Sequence, residues 1–348
     1  MDRRSFLRAT GLVAVTSASG TFLMGCAPST GNNSADQSSA GPNATDAVFV
    51  TPFQHILNYA DIYVGIQEGY FAEEGLRIDV VGGSGTAASI SQVAAGQGLF
   101  GKAASVITCP LIADGNAQII TVGQGDHKSQ YSLASDPANP LTTPEEWQGK
   151  TIGVISKGGT TELLLDAMSV AQGLDPTKVR KVVTGADVGS LEFLNRGEVD
   201  GFITYLGSEA AFKQRGIELN YLNTDEFAKM PGDSYLVKTE DVGPQAEAIT
   251  GFLRASRKGY EFVEDPANLD KVISAMAAYN KVEVQDEELA KLKIEAQPVI
   301  CKPASGGYLS IDMDAWESGV ELMRKSGIMK DKNRPVSDFV TSEFVDAI

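Results

Sequence analysis

Apolar residues along this chain follow two alternating periods. Short β-rich runs are separated by stretches in which apolar residues recur every three or four positions. Val48 to Thr51 reads as a strand. Residues 58–68, "NYADIYVGIQE", read as a helix, with Ala60, Tyr63, Val64 and Gln67 at helical spacing and Gly69 as its stop. A strand is predicted at 76–81. A short helix follows in "TAASISQVAAGQG", closed by Gly96, and then a strand in "LFGKA". "SVITCPLIADG" starts as a helix that Pro110 is expected to interrupt, and "AQIITVGQG" is another strand. "QYSLASD" and a Pro-rich loop, "DPANPLTTPEEW", lead to a second series. There, 151–155 is a strand, 158–161 a turn and 162–171 a helix ended by Gly173. "VRKVVTG", "GFITYL" and "ELNYLN" read as strands, the last of them closing the series, and "VGSLEFLNRGEVD" and "EAAFKQRGI" as helices. After "SYLVKTEDV" the pattern turns helical over 243–295, with a further amphipathic helix in "MDAWESGVELMRKSG". Alternating strands and helices predict open α/β sheets, here in two series, with the helical block covering one of them.

The first 46 residues do not fit that alternation. "RRSFLRATGLVAVTSASGTFLMGC", residues 3–26, has a positive start and a weakly apolar run that is a poor membrane helix. Arg3 and Arg4 within "DRRSFL" resemble a twin-arginine export signal, and Leu23-Met24-Gly25-Cys26 resembles a lipobox. The expectation is a removed signal over 1–25 and a lipid on Cys26. Residues 27–46, "APSTGNNSADQSSAGPNATD", lack core-forming side chains and read, with Cys26, as a flexible tether spanning ~25 Å.

Composition narrows the function. The formal charge is −16, and removing 1–25 takes away three arginines and one aspartate, leaving the chain more acidic still. Such a surface is repelled by nucleic acid and by anionic headgroups, so membrane attachment is expected through the lipid on Cys26. Hydrophobic content of 43% is enough for two domains with real cores. Beyond Cys26 the cysteines are Cys109 and Cys301, read as separate buried thiols, with a disulfide as the alternative. Two histidines and no CxxC or Cys/His cluster argue against a metal site, and no cofactor is expected.

Ligands of open α/β sheets bind beyond the carboxyl ends of strands. The loop after the first strand offers Phe53 and Tyr59 for stacking, Gln54 and Asn58 as amide partners, and His55 as a hydrogen-bonding wall. Phe53 is equally readable as core. Gly82-Gly83-Ser84-Gly85-Thr86 offers bare N–H groups to an anion, or is a plain turn with Thr86 as a cap. It is no P-loop. Ser105 either donates to a ligand or caps a helix. Gly158-Gly159-Thr160-Thr161 opens a long helix, where N–H groups, two hydroxyls and the helix dipole favour negative charge. Asp187 and Tyr205 are placed to complete the wall of the second lobe, with a helix cap as the alternative role of Asp187. Lys157 is expected to face water.

Several segments resemble one family. "IYVGIQEGYFAEEGLRIDVV", "EEWQGKTIGVISKGGTTELLL", "LNRGEVDGFI" and "DPANLDKVISAM" are similar, in order and spacing, to NMT1/THI5-like, aliphatic-sulfonate-type substrate-binding proteins of ABC transporters. The resemblance covers roughly 47–330. It implies a type II periplasmic-binding-protein fold, with 47–130 and 238–348 as lobe 1 and 131–237 as lobe 2. Crossings near Tyr131-Ser132-Leu133 and Tyr235-Leu236-Val237 would form the hinge. It also puts Gly123-Gln124-Gly125 at the cleft. The implied role is a monomeric, extracytoplasmic lipoprotein that captures a sulfonate, carboxylate or pyrimidine-like solute and delivers it to the transmembrane subunits of a permease. The rivals are a THI5-like pyrimidine synthase and a sensory receptor. Two histidines, no Cys-rich run and no G-x-S-x-G argue against an enzyme.

Overall fold

The computed structural model describes residues 41–42, 44–185 and 188–348. The expected export signal at 1–25, Cys26 and most of the expected tether lie outside the described residues, as does Asp187. One boundary of the tether is corrected: β1, Thr45–Val50, already pairs with its neighbour at Thr45. Arg77 pairs with Asp46 across that ladder, and Ala47 and Phe49 point to the core.

Two five-stranded sheets carry the molecule. The first uses β1, β2 (Leu76–Val81), β3 (Phe100–Ala104), β4 (Ile119–Gln124) and β10 (Asp233–Lys238), in the order β2-β1-β3-β10-β4. The second uses β5 (Tyr131–Ser135), β6 (Thr151–Val154), β7 (Arg180–Val183), β8 (Gly201–Tyr205) and β9 (Asn220–Asn223), in the order β7-β6-β8-β5-β9. In each sheet four strands run in one direction, and one late or early strand enters antiparallel to them: β10 between β3 and β4, β5 between β8 and β9. The expected crossings at 131–133 and 235–237 both fall inside strands. The chain instead passes between sheets at 125–130 and returns at 224–232. The strand β10 follows "ELNYLN", which was expected to be the last. Its Tyr235, Leu236 and Val237 are all buried, as a strand flanked on both sides must be, and so lack the alternation that marks a half-exposed strand.

The helices are α1 (Ala60–Gln67), α2 (Tyr70–Glu73), α3 (Thr86–Ala94), α4 (Ser105–Ala113), α5 (Thr160–Ala171), α6 (Ser190–Asn195), α7 (Leu206–Gln214), α8 (Asp225–Ala228), α9 (Ala246–Glu264), α10 (Leu269–Ala277), α11 (Glu287–Cys301) and α12 (Met313–Lys325). Helix α4 runs through Pro110 rather than stopping there. Pro110 forfeits the bond to the carbonyl of Val106, and burial of Val106, Cys109 and Ile112 offsets that loss.

Alternation along the first sheet feeds two cores. Phe49, Ile78, Phe100 and Tyr235 face one side, where α1, α9, α10 and α11 cover them. Val50, Ala103 and Leu236 face the other, under α3, α4 and α12. That second core does not stop at the sheet boundary. It continues through Ile152 and Val154 of β6 and Leu164, Leu165 and Met168 of α5. A smaller cluster around Phe202 and Phe212 backs the second sheet. Cys109 and Cys301 are free, buried thiols in different clusters, on opposite faces of the first sheet. Among the described residues no helix is long and apolar enough to cross a membrane.

Candidate functional site

The strand ends and crossings of both sheets meet at a small chamber of about 220 Å³. Phe53, Asn58 and Tyr59 enter from the first sheet, Tyr131, Ile155 and Tyr205 from the second, and Gln130 and Asp233 from the crossings. Phe53 is 43% exposed and so is no core residue. A larger groove of about 590 Å³ adjoins the chamber and shares Phe53, Tyr131 and Ile155 with it. Ser84, Thr86, Gly159, Thr160 and Thr161 line this groove, with Lys157 exposed at its edge.

The chamber is wired to a buried polar network. The Asn58 amide donates to Gln130 Oε1 at 3.0 Å, and the Gln130 amide reaches Asp233 Oδ2 at 3.5 Å. Behind Asp233, Lys102 is 1% exposed and lies 3.8 Å from Asp126. Its ammonium donates to the Tyr260 hydroxyl at 3.1 Å and sits over the rings of Tyr59, Tyr235 and Tyr260 at 5.5–5.7 Å. The Tyr235 hydroxyl donates to Asp61. Burial and then the neighbouring Asp126 push the Asp233 carboxyl up to about 7, against the pull of Lys102. Burial likewise raises Asp61 to about 6, opposed by Lys102. Burial alone would lower Lys102, but Asp126 and Asp61 outweigh it and its proton is held more tightly than usual. Burial, then Asp233, keeps Tyr59 and Tyr131 neutral. Among the described residues the chamber is therefore aromatic, rich in amide and hydroxyl groups, and carries one carboxyl, Asp233, poised near neutrality.

Both Gly-rich loops spend backbone donors on the protein itself. The N–H groups of Gly83 and Gly85 donate to the carbonyls of Phe53 (3.1 Å) and Pro52 (2.7 Å). Thr51 Oγ1 accepts a second, bifurcated bond from Gly83 N–H at 3.1 Å. A Cβ at Gly83 would lie 1.9 Å from the Thr51 carbonyl oxygen, so only glycine permits this approach. In the second sheet, the N–H of Gly158, at φ +67°, donates to the Glu162 carboxylate at 2.5 Å, and that of Gly159 to the Ser156 carbonyl at 3.3 Å. Glu162, in the first turn of α5, thus occupies part of the place expected for a bound anion. Thr161 Oγ1 accepts from Ile155 N–H at 3.0 Å, which orients the loop.

Four other expected site residues serve as struts. The Gln54 amide donates to the Gly83 carbonyl at 3.3 Å. His55 Nδ1 lies 3.0 Å from the Tyr63 hydroxyl, its ring packs against Tyr279, and burial lowers its pKa. Ser105, fully buried, donates to the Pro231 carbonyl and caps no helix, the N-cap being Ala104. Gln124 Oε1 accepts from Trp316 Nε1 at 3.1 Å and from Asp312 N–H at 3.2 Å, locking α12 to β4. None of these four lines the chamber or the groove. Conversely, Gln130, Ile155 and Asp233 line the chamber without having been singled out, and Tyr131, expected only at the hinge, lines it too. An aromatic next to an amide at the first crossing, and an acid opening an apolar strand, were the available signals.

The family described as NMT1/THI5 like matches residues 56–268, which include most of both sheets. The chain belongs to the NMT1/THI5-like family. A formylaminopyrimidine-binding protein of Halalkalibacterium halodurans is 26% identical over 279 residues, 75% of this chain and 79% of that protein. The periplasmic aliphatic sulphonate binding protein SsuA of Escherichia coli superposes with a TM-score of 0.67 at 13% identity, over 87% of this chain and 93% of that one. The alkanesulfonate-binding protein SsuA of Xanthomonas axonopodis pv. citri, bound to MOPS, gives 0.63 at 14% identity, over 87% and 99%. At these identities the two structures establish the architecture, the type II periplasmic-binding-protein fold with its two α/β lobes. In this member of the NMT1/THI5-like family the chamber lies where the two sheets meet.

Proposed function

We propose that this chain is an extracytoplasmic solute-binding protein of an ABC transporter, and that its solute is a planar, nitrogen-bearing ring of the pyrimidine class. The single observation that carries the ring is the placement of Asp233 among Phe53, Tyr59, Tyr131 and Tyr205. Aromatic faces stack on a flat heterocycle. A carboxyl near its midpoint at neutral pH pairs with the adjacent ring nitrogen and amino group of an aminopyrimidine, as acceptor, donor or both. Asn58, Gln130 and the Tyr205 hydroxyl supply the remaining polar edge. An alkanesulfonate is the poorer fit. Among the described residues no Arg or Lys lines the chamber, and both Gly-rich loops have donors already engaged. The likeness to a formylaminopyrimidine-binding protein supports the same reading.

Binding rather than catalysis fits the position of the nucleophile candidates. Cys109 is buried, with its pKa raised by burial to about 12, and His55 holds Tyr63 rather than facing the chamber. The reading extends to export by the 1–25 signal, a lipid on Cys26, a monomeric receptor and a permease that recognises the liganded form. Calorimetric titration with formylaminopyrimidine, cytosine and an alkanesulfonate tests the solute class. Tight binding of the pyrimidines with no heat from the sulfonate is expected, and the opposite order would sink it.

A further inference from the structure

The groove beside the chamber has one apolar wall. Helix α4 contributes Val106, Ile107, Pro110 and Leu111, positions i, i+1, i+4 and i+5 on one helical face. Leu163 of α5 and Ile328, just beyond α12, complete the wall. Helix α4 is apolar nearly all round, a pattern that ordinarily calls for cover on every side. Its Cys109 and Ile112 side is covered by the core. Ile107 and Leu111, by contrast, are half-buried, as are Leu163 and Ile328. Four large aliphatic side chains thus stay partly open on one wall, next to a chamber that is polar and aromatic.

The two spaces differ in size as well as in character. A chamber of about 220 Å³ holds one ring with small substituents and lies below the ~300–1,000 Å³ common for ligand sites. The groove of about 590 Å³ opens from it past Phe53, Tyr131 and Ile155. Its polar lining, Ser84, Thr86, Ser156, Lys157, Thr160 and Thr161, comes from other segments than α4.

We propose that the groove receives an apolar arm carried by the solute, so that the physiological ligand is a ring with an alkyl or aryl substituent rather than a bare ring. This rests on the ring reading of the chamber given above. The ring fixes orientation through Asp233 and the tyrosines. The arm leaves past Phe53 and Tyr131 and removes the Ile107, Leu111, Leu163 and Ile328 side chains from water. Each methylene buried on that wall tightens binding roughly fourfold.

Calorimetry with a matched series decides it: 4-aminopyrimidine, and the same ring carrying a propyl or hexyl chain at carbon 5. The expected result is a stepwise gain along the series for the unmodified protein. Ile107→Gln should cancel most of that gain and leave the bare ring unchanged. Leu163→Gln, on the α5 part of that wall, serves as the second variant, and thermal melts establish that each is folded. If the bare ring binds and the alkyl chains add nothing, the groove has no such role while the ring reading stands. If none of the rings binds, the ring reading fails and this proposal falls with it.

Discussion

The main-chain N–H of Asp126 donates to the carbonyl oxygen of Asp233 at 2.9 Å, tying the first crossing between the sheets to the second. Gly232 N–H returns a bond to the Asp126 carbonyl at 3.2 Å. Their side chains share the field of Lys102, with Asp126 on its inner side and Asp233 facing the chamber. The two crossings between the sheets and the proposed recognition carboxyl are therefore one unit.

Asp233 should make stability depend on pH. Its folded-state pKa, about 7, lies above the unfolded value, so its contribution is complete below about pH 4 and is lost as pH rises through 7. The melting temperature of the solute-free protein should fall between pH 5 and pH 8 by several degrees more than that of Asp233→Asn. His127, lowered by burial to about 4, contributes with the opposite sign in both proteins, so it cancels in the difference. Equal pH profiles by scanning calorimetry would show that Asp233 is ordinary.

Lys102 should tolerate no neutral replacement. Lys102→Met leaves Asp61 and Asp126 buried without their cation, a change that costs about 3–5 kcal/mol. Urea denaturation should show that loss, and the double variant Lys102→Met, Asp126→Asn should recover part of it. A single variant as stable as the parent would contradict the buried network.

The two threonines that open α5 should separate. Thr161→Ala removes the acceptor of Ile155 N–H and should cost about 1–2 kcal/mol in denaturant midpoint analysis. Thr160, which lines the groove and its neighbouring crevice, should change stability by less than about 0.5 kcal/mol on truncation. Any effect of Thr160→Ala should appear in solute affinity.

Phe53 and His55 should also diverge. Phe53→Ala should weaken ring binding about five- to tenfold with little change in melting temperature, because the side chain is exposed and is proposed to stack on the solute ring. His55→Gln should lower the melting temperature and leave affinity within about twofold, since His55 serves Tyr63 and Tyr279. Titration and thermal melts on both variants check the pair.

Much of the fold was legible in the chain. The half-buried strands and amphipathic helices of both series carry the periods that burial on one face imposes, and Gly69, Gly96 and Gly173 end helices at positive φ. The strand β10 hid because both its faces are covered, which erases alternation. The turn residues that mark the true crossings, Gly125 and Pro231-Gly232, were the better guide. At the site, strand ends located the loops, and Phe53, Asn58, Tyr59 and Tyr205 do line the chamber. Which neighbours turn away could not be read. Gln54, His55, Ser105 and Gln124 satisfy partners as far off in sequence as Pro231 and Trp316, and only folding brings those partners near.

The core that runs unbroken from Val50 and Leu236 through Ile152 to Leu164 and Met168 makes the lobes inseparable as objects. A gene fragment encoding only 125–232 would emerge with that side of β6 and α5 bare. It should therefore precipitate or recruit chaperones rather than yield a soluble half-receptor. Evolutionary exchange of one half for another is constrained in the same way. A grafted half must bring both its share of the solute contacts and a matching greasy seam.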